Sequence, residues 1–493
     1  MRYIIITLFC FISVYTFSQI APVRGIPNVI ERSTFLLLSD SGYISIKKEE
    51  SKADGKGWNS YRNILTLIRY DKHFKAINQA KLSGGANIYS AMYSELRQVG
   101  GKVWLFYLEG QDGDDVGDIK AAEVNTISLS LADAKTIISK AELNQTLRGR
   151  GAENEMHFMS RVSPSGRYFC FYARTFGRKQ NLAVLDKDLN RVWGKQESFE
   201  FGNPYSEWRG LHSLEVDDNG GAYFSFKLRS DVENYVIYSP TGKSIVKSID
   251  LGGGSAKEIL FAPEKNGGPV FAYGTYMEGD YCKGVYKAEV KANGDLTAIV
   301  KTAFPASLIE PLSKEGWAKR RRLGVDPVFN ASLVKNGDGS TCFVAEIYAK
   351  IDPYYHIGSI MYARFSGTGQ PVFGRAPKYW AGYGVTRYYF DGEPRGERFF
   401  DSFPYESKII FFYFDNPDNI TRDISLDAKV VTPSNGALIA AIIDADGSIK
   451  RQQITTLPLN YLSVSGTTAT PGFIQVPLVV GYTDVLAKVK IEC

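Results

Sequence analysis

The chain has 493 residues, a formal net charge of +5 and 13% aromatic residues, with 30 Tyr, 29 Phe and 47 Gly. So small an excess of positive charge gives no basis for nucleic-acid binding. The wealth of aromatic residues and glycine, with few helix-like periods, sets aside a helical bundle and points to one large β domain.

Residues 1–18 read as a secretory signal peptide. Arg2 is the basic start, Tyr3 to Phe17 form a mostly apolar core, and Thr16 and Ser18 are small enough for the cleavage positions. The mature domain would then run 19–493, from Gln19. The segment is short for a transmembrane anchor, and no later segment reads as a membrane span. Cys10 follows Phe9, which is too large to precede a lipidated cysteine.

Beyond it, one pattern recurs: strand, Gly turn, apolar strand, longer connection, strand, Gly or Asp turn, polar strand. Ser160 to Phe201 is its clearest copy. Ser163-Pro164-Ser165-Gly166 is a turn, and Tyr168 to Tyr172 is an unbroken aromatic and apolar run expected to be buried on both faces. Asn181 to Asp186 and Arg191 to Phe199 supply two more strands around the turn Lys187 to Asn190. First turns recur near Gly42, Gly101, Gly220, Gly268, Gly339, Glu406 and Gly472, and second turns near Asp71, Gly242, Gly294, Gly369 and Gly447. The repeat is longer than the roughly 40–45 residues of WD40 blades and lacks their signature.

This grammar predicts an all-β fold: a single β-propeller of eight four-stranded blades, with seven as the alternative. The last repeat has room for only three strands: Tyr461 to Ser465, Phe473 to Val480 and Asp484 to Ile491. A fourth from Ile20 to Ile30 would close the ring by pairing the N- and C-terminal strands. Cys170, Cys282, Cys342 and Cys493 are irregularly spaced with no Cys-x-x-Cys, which argues against a zinc site. Buried free thiols are the favoured reading, with a Cys282–Cys342 disulfide as the alternative.

Ser163 to Gly166, Leu185 to Asn190 with Trp193, Val216 to Gly220, and Phe412 to Pro417 together resemble an uncharacterised group of secreted propeller-like proteins from Bacteroidota. The resemblance spans most of the mature chain. It implies a propeller fold and a Gram-negative exported location, and it brings no catalytic residues with it.

In a propeller, connections from an outer strand to the next inner strand meet near the axis, where ligand sites form. Four such connections carry chemistry. Glu153, Glu155 and His157 precede the third repeat, and Glu207, Trp208, Arg209 and His212 the fourth. Lys319 to Arg322, with Arg321 central, precede the sixth, and Arg398 with neighbouring carboxylates the seventh. Arg can grip an anion with paired hydrogen bonds, and Glu and His can move protons; the same residues also suit solvated loops and ion pairs. Tyr379, Trp380 and Tyr383 could stack on sugar rings or anchor a peptide, or else pack between the sixth and seventh blades. Gln111 to Asp118 is acidic, but Val116 stands where an oxygen ligand is wanted, so an acidic hairpin tip fits better than calcium.

No Gly-x-Ser-x-Gly, His-Glu-x-x-His or P-loop occurs, and no cofactor is expected. The favoured function is therefore an exported non-enzymatic binding or scaffold propeller in the periplasm, on the outer surface or outside the cell, recognising a protein or an envelope polysaccharide. One alternative is a carbohydrate-active or other hydrolytic enzyme working at the propeller mouth, with Glu153, Glu155, His157, Glu207 and Arg398 as its residues. The other is a structural subunit of a cell-envelope assembly.

Overall fold

The computed structural model describes residues 20–21, 35–38, 42–52, 61–71, 75–82, 94–110, 116–143, 157–174, 179–198, 211–227, 233–251, 254–279, 281–313, 328–351, 354–367, 369–378, 380–383, 400–405, 407–420, 436–455, 468–470, 473–480 and 483–490. They form antiparallel sheets, mostly of four strands. Seven sheets are built from consecutive stretches of chain, each an up-and-down meander.

Sheet 1 comprises Phe35–Leu37, Tyr43–Lys52, Tyr61–Tyr70 and Ala76–Leu82, and sheet 2 comprises Ser94–Val99, Lys102–Gly110, Val116–Glu123 and Lys135–Ile138. Sheet 3 comprises His157–Val162, Tyr168–Arg174, Lys179–Asp186 and Arg191–Ser198. Sheet 4 comprises Leu211–Val216, Ala222–Lys227, Glu233–Tyr238 and Ser244–Ser248. Sheet 5 comprises Ser255–Pro263, Val270–Glu278, Tyr281–Val290 and Leu296–Ala303. Sheet 6 comprises Val328–Lys335, Thr341–Ile351, Tyr354–Phe365 and Val372–Ala376, and sheet 7 comprises Phe400–Tyr405, Lys408–Asp415, Ala437–Ile443 and Ile449–Thr455.

A further sheet joins the two ends of the chain. Thr468–Thr470, Phe473–Val480 and Thr483–Lys490 form a meander, and Ile20–Ala21 adds to its outer side with Ile20 opposite Ala487. Its first strand is Thr468–Thr470; the expected Tyr461 to Ser465 lies outside the described residues, as does Cys493. Sheet 6 also departs from the four-stranded expectation. A fifth strand, Trp380–Tyr383, pairs with the far half of Tyr354–Phe365, beyond the point where Val372–Ala376 stops.

The expected turns at described residues are where the sequence places them; those at Glu406, Gly472 and Lys72-His73 lie outside the described residues. Gly166, Gly220 and Gly339 close first turns, and Gly242, Gly294, Gly367 and Gly447 close second turns, all at positive φ, which glycine adopts without the steric cost other residues meet.

The hydrophobic core lies between sheets rather than under one. Phe169, Phe171 and Ala173 pack with Phe106 and Leu108 of sheet 2, whereas Cys170 and Tyr172, on the opposite face of the same strand, pack with Leu214 and Phe224 of sheet 4. The run Tyr168 to Tyr172 is thus buried on both faces, as its composition predicts. An aromatic pair crosses each of five successive interfaces: Phe106–Phe169 at 4.5 Å, Tyr172–Phe224 at 5.5 Å, Tyr223–Phe261 at 5.7 Å, Tyr273–Phe365 at 5.1 Å and Tyr362–Phe411 at 6.2 Å. Each such pair adds about 0.5–1.5 kcal/mol beyond the area it buries. First strands of successive sheets lie against one another, so they form the inner edge of a propeller arrangement.

Two short helices fill gaps. Lys140–Leu143 packs on sheets 2 and 3, and Ala306–Ser313 packs on Val372–Ala376 of sheet 6. Cys170, Cys282 and Cys342 are buried thiols, and the alternative Cys282–Cys342 disulfide is not formed. Among the described residues no helix is long and apolar enough to cross a membrane.

Candidate functional site

Charged side chains from separate sheets meet at the inner edge, as they also do near second turns in the pairs Lys247–Asp295 and Lys102–Asp188. The first strand of sheet 2 alternates, with Leu96 buried against sheet 1 and Glu95 and Arg97 turned towards sheet 3. Arg97 pairs with Glu95, and both close on one hydroxyl of sheet 3. Ser160 Oγ donates to Glu95 Oε2 at 2.8 Å and accepts from Arg97 Nε at 3.1 Å. The next interface repeats the device. Arg161 Nε donates to Glu215 Oε1 of sheet 4 at 3.3 Å, and its Nη1 donates to the Ser160 carbonyl at 2.8 Å.

Glu215 keeps 28% of its side chain accessible. Burial raises its carboxyl above the usual range, and Arg161 beside it and Lys335 across the inner edge only partly offset this. Lys335 belongs to sheet 6. Lys335 also donates to the Pro263 carbonyl and to Glu264 Oε1, tying sheet 6 to sheet 5.

The inner strands of sheets 4, 5 and 6 share a second feature: each contains one extra residue. The pairing with the second strand slips between Leu211 and Ser213, between Lys257 and Ile259, and between Phe329 and Ser332. These are β-bulges, which bend a strand and redirect its side chains. The extra residue in sheet 4 is His212.

Of the residues expected from sequence, His212 is therefore placed on the inner strand of sheet 4, at its bulge, and His157 opens the inner strand of sheet 3 opposite Arg174. Trp380 opens the fifth strand of sheet 6, opposite Ile357. Glu155, Glu207, Trp208, Arg209, Arg321, Arg398 and Tyr379 lie outside the described residues, as do Glu153, Lys319 and most of the acidic stretch before Val116. Glu95, Arg97, Arg161 and Glu215 stand on the strands themselves, not in the connections to which the sequence pattern points.

Among the described residues no group of three or more His, Cys, Asp or Glu could hold a metal ion. The arrangement offers carboxylates as acceptors and guanidinium groups as donors, with opposite charges paired side by side.

No family model matches the sequence, and no curated protein is similar to it. Solved structures with a loose resemblance include the periplasmic gluconolactonase of Pseudomonas aeruginosa, at 14% identity and a TM-score of 0.41, covering 92% of this chain and 100% of that one. The β-propeller domain of the trilobed protease from Pyrococcus furiosus matches at 10% identity and a TM-score of 0.37, covering 87% and 97%. A lectin from Burkholderia pseudomallei matches at 10% identity and a TM-score of 0.38, covering 86% and 98%. These overlaps are too loose to carry a ligand, a reaction or a residue across to this chain.

Proposed function

We propose that this chain is an exported, non-enzymatic binding propeller whose ligand is held at the inner edge of its sheets. The observation that carries the reading is the chain of polar contacts between inner strands of sheets 2, 3 and 4, with Glu95 and Arg97 closing on Ser160 and Arg161 on Glu215. In this reading the sheets are eight blades of a ring, fastened by Ile20–Ala21 on Thr483–Lys490. Residues 1–18 are a cleaved leader, and the group of secreted Bacteroidota proteins that the turn motifs resemble gives the location. The ligand is a protein or an envelope polysaccharide. Local charge favours an uncharged polysaccharide: Arg97, Arg161 and Lys335 each stand beside a carboxylate, so there is no uncompensated positive field of the kind a polyanion needs.

The test uses chain 19–493 and titrates it with a polysaccharide fraction and a protein fraction from a Gram-negative envelope. The paired variant Arg161→Leu/Glu215→Leu removes both charges and so avoids stranding one of them. It is expected to bind at least tenfold more weakly while its melting temperature shifts little. Unchanged affinity in the pair would refute an inner-edge site. The raised Glu215 carboxyl favours a second reading, an acid–base enzyme. Glu215→Gln separates the two, because an enzyme loses turnover with binding retained, whereas a binder has no turnover to lose.

A further inference from the structure

We propose that Glu258 is a ligand-contacting residue of the inner edge, aimed there by a bulge that the fold maintains against the preference of its backbone. The inference rests on the reading that the inner edge binds a ligand.

Glu258 has φ 60°, a left-handed conformation that disfavours any residue with a Cβ. It is the extra residue in the inner strand of sheet 5, where pairing jumps from Lys257–Thr275 to Ile259–Gly274. The bulge resets the alternation of the strand. Ala256, Ile259 and Phe261 all pack into the core between sheets 4 and 5, although strict alternation would put 256 and 259 on opposite faces. Lys257 and Glu258 together take the place of one residue, and both stay half-buried rather than entering the core.

Three consecutive carbonyls of this strand each receive a hydroxyl. Thr275 Oγ1 donates to Lys257 O at 2.7 Å, Tyr286 OH to Glu258 O at 3.3 Å and Ser225 Oγ of sheet 4 to Ile259 O at 2.5 Å. Thr275 and Ser225 are completely buried. Gly274 completes the cradle: a Cβ there would stand 1.9 Å from the Glu258 carbonyl oxygen. Glycine at 258 would settle the strand with no strain, yet the position holds a carboxylate. Residues held in sparsely populated backbone conformations cluster at ligand-binding sites. A carboxylate beside Lys257, in an edge whose charges balance, suits the hydroxyl groups of an uncharged saccharide, each able to donate to it while accepting from a cation.

The experiment compares chain 19–493 with Glu258→Gly and Glu258→Gln, measuring thermal melting and titration with a neutral oligosaccharide pool released from a Gram-negative envelope by mild acid. Glu258→Gly is expected to melt higher than the parent and to bind at least tenfold more weakly. Glu258→Gln keeps the strain and loses the charge, so it should melt like the parent and bind several-fold more weakly. Parent-like binding by both variants overturns the proposal and leaves the inner-edge reading intact. A parent protein that binds nothing from the pool but binds the envelope protein fraction overturns the saccharide and the role given to Glu258. A parent that binds neither overturns the inner-edge reading as well. A lower melting point for Glu258→Gly removes the argument from strain.

Discussion

On the turn side of the sheets, Asp218 collects three donors from neighbouring sheets. Ser165 gives its backbone N–H at 2.9 Å and its hydroxyl at 2.7 Å, and Asn266 gives its N–H at 2.7 Å. On the inner edge, by contrast, sheets meet through paired charges and bulged strands. The turn side is repetitive. Lys135 reaches the Asp188 carbonyl, Tyr235 OH the Gly294 carbonyl at 2.7 Å, Lys287 the Gly367 carbonyl and Tyr362 OH the Gly447 carbonyl at 2.7 Å, each joining one sheet to the second turn of the next. Trp193 adds a bond from its ring N–H to Gly220 O at 2.8 Å. Neutral or singly charged bonds to backbone turns fix geometry without spending a functional group. The inner edge keeps ionisable side chains half-accessible and departs from regular pairing, as a surface kept for recognition would.

The largest effect is expected inside sheet 6, away from the turn side. Glu346 and Lys378 form an ion pair in which the two side chains are 0% and 1% accessible. Glu346 follows Cys342 and Val344 on the face that packs with sheet 7, and Lys378 sits where the fourth strand ends before Trp380–Tyr383 resumes the pairing. Removing one partner of such a buried pair takes away the charge opposite the other, at about 3–5 kcal/mol. Lys378→Met should lower the urea midpoint by a corresponding amount, and Glu346→Leu/Lys378→Met should recover much of it. If the single variant is no worse than the double, the pair is not the lock it resembles, and the two sides of the molecule differ less than the contacts imply.

Asp218 comes next. Its burial opposes ionisation, but hydrogen bonds from Ser163, Ser165 and Asn266 outweigh this and hold the carboxyl below its usual range. A folded-state pKa below the unfolded one contributes stability that is complete above the unfolded value, near 3.8, and is lost as pH falls through the folded value. Asp218→Asn should cost about 2–3 kcal/mol at neutral pH, the value of hydrogen bonds to a charged acceptor. The gap between parent and variant should stay level down to about pH 5 and narrow below the usual aspartate range. Urea denaturation across that range measures it, and a gap that widens in acid would contradict the assignment.

These contrasts explain what the sequence disclosed. Turns at Gly166, Gly220 and Gly447 were legible because a positive φ leaves glycine as the natural choice, and the Tyr168 to Tyr172 run because burial on two faces needs an unbroken apolar stretch. The inner-edge features were not. A bulge is a relation between two strands, so the extra residue at His212 or Glu258 leaves no mark on its own segment. Glu258 is hidden further because it takes a conformation in which glycine is expected. Glu95, Arg97, Arg161 and Glu215 stand on short strands, where a charge reads as a solvated face until the neighbouring sheet is placed against it. Trp380–Tyr383 contains Gly382, a residue that weakens the signature of a strand. Cysteines 170, 282 and 342 were legible as thiols because regular disulfide or metal spacing was absent.

The smallest effect tests whether the turn-side bonds are interchangeable. Tyr362 is 1% accessible, its ring lies over Gly374, where a Cβ would come 2.1 Å from its hydroxyl oxygen, and it packs on Phe411 of sheet 7. Tyr362→Phe keeps the ring and deletes only the bond to Gly447 O. That carbonyl sits at an exposed turn, where water can replace the lost donor, so the expected cost is about 1 kcal/mol or less. Tyr235→Phe removes the corresponding bond to Gly294 O two interfaces earlier and should cost about the same, since each turn has glycine at positive φ and a neighbour reaching from the preceding sheet. Equal, small shifts in the two urea midpoints would show that the turn side is a set of independent fastenings. A cost at one position several times that at the other would mean that one interface bears load for the whole array, and the uniformity of that side would fail.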